Sequence, residues 1–389
     1  MLRGRSRTIG PAGGSRLAAA VFLLCLAGPA TPSPEAPDSA AAPKSVHGSR
    51  LFPPRLAARS VVFLPKVYYS TENRFGVGGH VVAPFWFQGD CEADGRRSDV
   101  RVKGRLTTDL HGKAEIEFNL RCADPWSLEG KFAYDNLALR FWGIGSDTPS
   151  ENEEVYRPQS VLVCVELFRR VADGFRMGVR WEREQYKFIE VEPGGLLDTM
   201  EYVGLRGRRI SGAGLLLDWD TRDHVYSPSR GRYYHGYTLF FEDFLGSAHT
   251  FNNHFVDLRH YLPLGGENVF ATQLVGYSVR GAPPIYRYAA LGGREHTRGY
   301  RTARYLDRVL LAFQGEYRFP LVWRFGGVAF GGLAGVSRNI ESFRLDRMRP
   351  TVGAGLRLLV GDDDRIRLRF DAAFGEESAR FYASIGEAF

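Results

Sequence analysis

Between residues 365 and 374 the chain alternates strictly: Ile366, Leu368, Phe370, Ala372 and Phe374 are apolar, while Arg365, Arg367, Arg369 and Asp371 lie between them, with Ala373 completing the second set. Successive side chains of an extended strand point to opposite faces, so this stretch has one apolar and one charged face. The same period of two sets Val100, Val102 and Leu106 against Arg101, Lys103 and Arg105, and Ala114, Ile116, Phe118 and Leu120 against Glu115, Glu117 and Asn119. It returns where Leu311, Phe313, Tyr317 and Phe319 alternate with Gln314, Glu316 and Arg318. These segments run to roughly 10–14 residues, longer than the 5–6 of an ordinary soluble strand. Charges of both signs are mixed on the polar face. A membrane barrel with an apolar exterior and a polar interior has these lengths and this pattern.

Alternation and turn residues predict strands over 60–69, 75–87, 97–108, 113–122, 127–141, 156–170, 174–187, 208–220, 231–243, 250–262, 268–281, 309–320, 323–338, 350–361, 365–375 and 379–389. The fold class is therefore all-β, a transmembrane antiparallel β-barrel of about sixteen strands. An even count puts both ends in the periplasm. The short connections at 172–174, 264–268 and 361–364 then fall on that side, and the long ones at 142–155, 188–207 and 282–308 fall outside. Between the third and fourth strands, a turn at Leu110-His111 would set Arg105 against Glu115 and Lys103 against Glu117, as opposite charges prefer.

Composition narrows the reading further. The only long apolar run, Leu17 to Ala27, is followed by Gly28 and Pro29 and falls short of the roughly 20 residues of a spanning helix. Arg3, Arg5, Arg7 and Arg16 precede it, and Gly28 and Ala30 suit a signal peptidase, so residues 1–30 read as a signal peptide. Residues 31–59 then form a disordered or extended periplasmic segment, and 60–389 the barrel domain. The 45 Gly, 27 Phe, 18 Tyr and 6 Trp fit an all-β chain. The net charge of +7 is spread along the chain with both signs interleaved, which argues against a nucleic-acid partner.

The chemistry is sparse. Cys25 sits in the leader, outside a lipoprotein cleavage box, and Cys91, Cys122 and Cys164 are too few and too widely spaced for a disulfide framework or a zinc site. One bridge between Cys91 and Cys122 is compatible with an oxidising compartment. No Gly-x-Ser-x-Gly elbow, His-Glu-x-x-His or phosphate-binding loop occurs. The Asp223-His224 pair lies in a string that Pro228 and Gly231 shape as a turn. No catalytic residue, metal or cofactor is expected.

Five strings carry a resemblance. They are LGGREHTRGYR at 291–301, GEYRFPL at 315–321, WDTRDHVYSPSRGRYY at 219–234, FWGIG at 141–145 and the terminal Phe389. In this order, and on these sides of the membrane, they resemble the barrel of the BamA/TamA superfamily, also called bacterial surface antigens, over about residues 60–389. The resemblance implies a sixth extracellular loop folded into the lumen, with a tip made by Arg298, Gly299 and Tyr300 and its Arg paired to wall carboxylates. Glu316, inward by its alternation, is the expected partner, because an unpaired guanidinium in a confined lumen is costly. Many relatives carry an acidic residue where Gly332 stands here, so a second carboxylate must come from elsewhere, with Asp371 the candidate, or be absent. Phe389 is expected to act as an assembly signal read by the barrel-assembly machinery. It shares a face with Phe381, Ala383 and Ile385, interrupted by Glu387. Pro65 removes a ladder donor from the first strand, at the closing seam.

About 30 residues separate the leader from the first strand, too few for a domain. The chain is thus expected to lack the periplasmic POTRA domains of the family, and a separate periplasmic protein is a candidate partner beside outer-membrane lipid. The implied function is assembly, insertion or translocation of protein or lipid at the outer membrane of a Gram-negative bacterium. A passive channel and a structural surface antigen are the competing readings.

Overall fold

A computed structural model describes residues 61–70, 73–85, 98–123, 125–293, 296–361 and 365–389. The expected signal peptide, Cys25 and Cys91 lie outside these residues, as does the side chain of Cys122, and Cys164 is a buried free thiol.

Sixteen long strands follow one another as an antiparallel meander. They are β1 Val62–Ser70, β2 Arg74–Phe85, β3 Ser98–Thr107, β4 Gly112–Ala123, β5 Trp126–Asp135, β6 Glu154–Ala172, β7 Phe175–Glu190 and β8 Arg209–Asp220. Then come β9 Gly231–Phe241, β10 Phe251–Pro263, β11 Val269–Gly281, β12 Val309–Pro320, β13 Phe325–Ser337, β14 Arg349–Gly361, β15 Ile366–Phe374 and β16 Ala379–Ile385. Each strand pairs with the next.

The expected alternation sets the two surfaces. Phe132, Leu167, Val179, Trp181, Leu215, Phe240, Phe270, Phe313, Leu333, Leu356 and Phe370 are exposed on the outside, the face a membrane barrel keeps apolar. Glu182, Asp218, Asp257, Gln273, Glu316, Arg318, Arg357 and Asp371 are buried on the inside. The sheet wraps around the long connection 282–308: Arg287 of that segment bonds Glu182 on β7, and Arg298 bonds Asp371 on β15, eight strands away.

Three expectations are corrected in detail. The third hairpin turn is longer than Leu110-His111, because Leu106 pairs with Gly112 and Leu110 takes a left-handed φ of 59°. Lys103 therefore stands opposite Glu115 and Arg101 opposite Glu117, with Lys103 reaching Glu117 diagonally at 2.8 Å. The predicted strand 127–141 breaks after Asp135. There Asn73 captures the backbone of Ala138 with two hydrogen bonds, at 2.9 and 2.8 Å, and a short strand, Leu139–Phe141, restarts against Glu154–Tyr156. The last strand ends at Ile385, not at 389, since Gly386 turns the chain with φ 82°.

On the side of the short turns, Asp223 accepts hydrogen bonds from the Ser229 and Arg230 N–H groups and from the Ser229 hydroxyl, and His224 Nδ1 accepts from the N–H of Tyr226 and Ser227. These are the bonds of a structured turn, as its Pro228 and Gly231 suggested.

Candidate functional site

The segment 282–308 enters the lumen and places Arg298 where no water reaches it, with 0% of its side chain exposed. Its guanidinium meets Glu316 Oε1 at 2.7 Å and Asp371 Oδ2 at 2.8 Å. It also donates to Gln314 Oε1 at 3.1 Å and lies 3.5 Å from the centroid of the Phe330 ring. Both carboxylates named from the sequence are thus brought to the arginine. Alternation puts them there: Glu316 is inward on β12, and Asp371 inward on β15.

Gly332 has no room for an acid. A Cβ there would lie 2.5 Å from the Phe313 carbonyl oxygen. The polar partner on that side is Gln314, whose amide N–H donates to Gln273 at 2.6 Å, and Gln273 in turn donates to Asp257 at 2.9 Å. An amide relay headed by Gln314, the residue paired with Gly332, occupies that side.

The loop tip is fitted to the wall by its small residue. Gly299 has φ 101°, a left-handed conformation costly for other residues, and a Cβ there would lie 2.7 Å from the Gly375 nitrogen. The converse holds at Gly375, where a Cβ would meet the Tyr300 ring at 2.8 Å. The Gly299 N–H donates to the Tyr382 hydroxyl at 3.0 Å, and the Tyr300 hydroxyl donates to the Pro350 carbonyl at 2.7 Å. Thr351 Oγ1 donates to the Arg298 carbonyl. Tip, β14 and β16 are therefore locked by backbone-directed bonds as well as by charge.

The ion pairs close into a ring. Glu316 Oε2 is 2.9 Å from Arg318, Arg318 Nε is 3.8 Å from Glu387, Glu387 is 2.7 Å from Arg357, and Arg357 is 2.6 Å from Asp371. Arg298 joins the two ends. All six side chains are at most 5% exposed. Buried pairs of this kind do not stabilise by default, because desolvation offsets the attraction, but each member makes the loss of its partner expensive.

Glu387 and Phe389 are the two residues the strand pattern misplaced. Beyond the Gly386 turn both point inward: Glu387 joins the ring, and Phe389 packs on Tyr261, Val269 and Ala271 at 5% exposure. Arg318 donates to a Phe389 backbone oxygen at 3.1 Å and sits over its ring at 5.4 Å. Phe389 is therefore not on the apolar face with Phe381, which is 81% exposed. The Gly before Glu387 was the available signal, since a left-handed residue reverses the alternation of everything after it.

A second anchor was not legible. Arg287 reaches Glu182 at 2.7 Å and Glu184 at 2.8 Å, while Tyr286 stacks on Tyr186 with centroids 3.8 Å apart. At the outer end, Arg304 bonds Glu377 at 2.7 Å and lies 5.3 Å from the Trp142 ring centroid, and Gly145 of the FWGIG string bonds the Leu306 carbonyl at 2.8 Å. Burial alone would raise the Glu377 carboxyl, but hydrogen bonds from Arg304 and Tyr305 outweigh it and hold the group below its ordinary value. Burial and the bond to Glu377 push the Tyr305 phenol up to about 12.

The comparisons agree with this fold. The crystal structure of BamA from Haemophilus ducreyi lacking POTRA domains 1–3 is similar at 13% identity and a TM-score of 0.58, covering 84% of this chain and 70% of that one. CdiB from Acinetobacter baumannii is similar at 12% identity and a TM-score of 0.53, covering 84% of this chain and 59% of that one. At such identities the likeness is one of fold. No curated protein sequence matches significantly. Residues 95–389 match the model described as the Omp85 superfamily domain, and on that match this chain belongs to the Omp85 superfamily of outer-membrane assembly and translocation barrels.

Proposed function

We propose that this barrel assists the assembly, insertion or translocation of protein or lipid at the outer membrane and does not serve as an open channel. The observation that carries the reading is the occupied lumen: one loop is bonded to β7 through Arg287 and to β12 and β15 through Arg298. A steady pore gains nothing from such a strap. A device that must stay sealed at rest and rearrange during work does. Outer-membrane lipid and the barrel-assembly machinery are the partners this implies, with a separate periplasmic protein delivering substrate. The residues of the site hold and orient charge, and the proposed role involves no catalysis, metal or cofactor.

Reconstitution tests it. Proteoliposomes carrying the full chain should accelerate insertion of a urea-unfolded outer-membrane barrel, or lipid exchange between vesicles, while planar bilayers should show small, fluctuating conductance. A large steady conductance with neither activity would replace this reading with the passive channel.

A further inference from the structure

Arg357 and Arg369 stand directly opposite each other on β14 and β15, and both point into the lumen with side chains 1% and 4% exposed. Like charges in that position repel at close range. Arg357 is held by Asp371 and Glu387, but Arg369 is not matched in this way. Its nearest carboxylate oxygen is Asp371 Oδ2 at 3.6 Å, already bonded to Arg298, and its Nε and Nη1 make no hydrogen bond. Arg367, two residues along the same face, comes only within 3.7 Å of Glu387 and leaves its Nε without a partner. Arg357 Nη2 also lacks one.

The charge count points the same way. Arg298, Arg318, Arg357, Arg367 and Arg369 are five cations, and Glu316, Asp371 and Glu387 are three anions, leaving an excess of positive charge in a cluster whose members other than Arg367 are at most 5% exposed. Water would satisfy the N–H groups. It would not relieve the repulsion between Arg357 and Arg369, and an uncompensated buried charge is expensive.

We propose that Arg357, Arg367 and Arg369 form a lumenal receptor for one phosphate-type oxyanion, either free or carried as the phosphodiester of a lipid headgroup. Guanidinium forks match such oxygens in geometry and charge. The excess of positive charge suits an anion, and the bordering carboxylates of Asp371 and Glu387 favour one of low charge. The inference is independent of what the barrel moves.

The test uses the full chain, refolded in non-ionic detergent free of lipid, with folding read by heat-dependent gel mobility. Its melting temperature is followed against inorganic phosphate, against glycerophosphoglycerol as a soluble headgroup, and against sodium chloride at matched ionic strength. At least one phosphate probe should stabilise the protein beyond chloride, and the stronger of the two identifies the source. Arg369→Gln should bind that probe at least tenfold more weakly and, with no probe present, melt above the wild type because the repulsion is gone. Arg367→Gln, at a more exposed position, carries the same binding test should Arg369→Gln not fold, and should also weaken the probe. The proposal is overturned if no probe exceeds chloride, or if the folded variants respond to phosphate as the wild type does.

Discussion

Arg298 and Asp371, 73 residues apart in the chain, meet at 2.8 Å with both side chains fully buried. The loop is thereby tied to the penultimate strand, and through Arg357 and Glu387 to the turned-in C-terminus. Local order at the tip and the position of the chain end are parts of one network.

Breaking that network from either side should look alike. Removing one member of a buried pair leaves the other uncompensated, at a cost of about 3–5 kcal/mol. Arg298→Ala, Glu316→Gln and Asp371→Asn should each loosen the loop, read as new protease cleavage within 282–308. Double variants should fall well short of the sum, since the members share partners. Strict additivity would show that the ring does not act as a unit.

Gly299 should tolerate nothing larger. At φ 101°, with the Gly375 nitrogen 2.7 Å from any added Cβ, Gly299→Ala adds backbone strain of about 1–3 kcal/mol to a steric clash. Gly375→Ala should produce the same loosened loop by pushing on the Tyr300 ring. Unchanged protease resistance in both variants would place the tip elsewhere.

Phe389 should matter twice. As a terminal aromatic it is expected to be read during assembly, so its deletion should lower folded barrel in cells without lowering synthesis. As a residue packed on Tyr261 and Ala271 it should also matter without any machinery. Phe389→Ala should cost about 3 kcal/mol in detergent-refolded protein. Normal stability in vitro with reduced yield in cells would leave only the signal role.

Acid should release the outer end of the loop. The Glu377 carboxyl is held below its ordinary value, so the bonds to Arg304 and Tyr305 are fully present above the unfolded carboxylate range near 4.3 and are lost as pH falls through the depressed folded value. Hydrogen exchange at residues 301–308 should rise below about pH 4 in the wild type. In Glu377→Gln it should be high already at pH 7, with a smaller further rise.

What the sequence showed depended on parity. The resemblance supplied a loop-tip Arg298 that pairs with wall carboxylates, and alternation placed Glu316, the expected partner, and Asp371, the candidate for a second, on the inner face. Parity also misled where a backbone feature resets it, at Gly386 for Glu387 and Phe389, and at Leu110 for the register of Lys103. Arg287 escaped because it lies in a loop, where no period assigns a direction and only the folded sheet brings it to Glu182. Gly332 was recognised as a departure, but the amide relay through Gln314 and Gln273 depends on which side chains face each other across β11 and β12, and that register is a property of the folded sheet.

Arg287 supplies the last prediction, because it shares no ion-pair partner with Arg298. Its contacts are Glu182 and Glu184 on β7, and those of Arg298 are Glu316 and Asp371. The two pins should therefore act independently, with effects on loop opening that add to within about 0.5 kcal/mol, unlike substitutions inside the ring. Arg287→Ala should leave the tip seated and free only the entry of the loop, giving brief, small conductance events. Arg298→Ala should free the tip while the entry stays fixed by Arg287 and the Tyr286–Tyr186 stack. Only the double variant should withdraw the strap from the bore and conduct as a large, long-lived channel. If either single variant alone opens the barrel fully, the loop hangs from one anchor and the other contact is incidental.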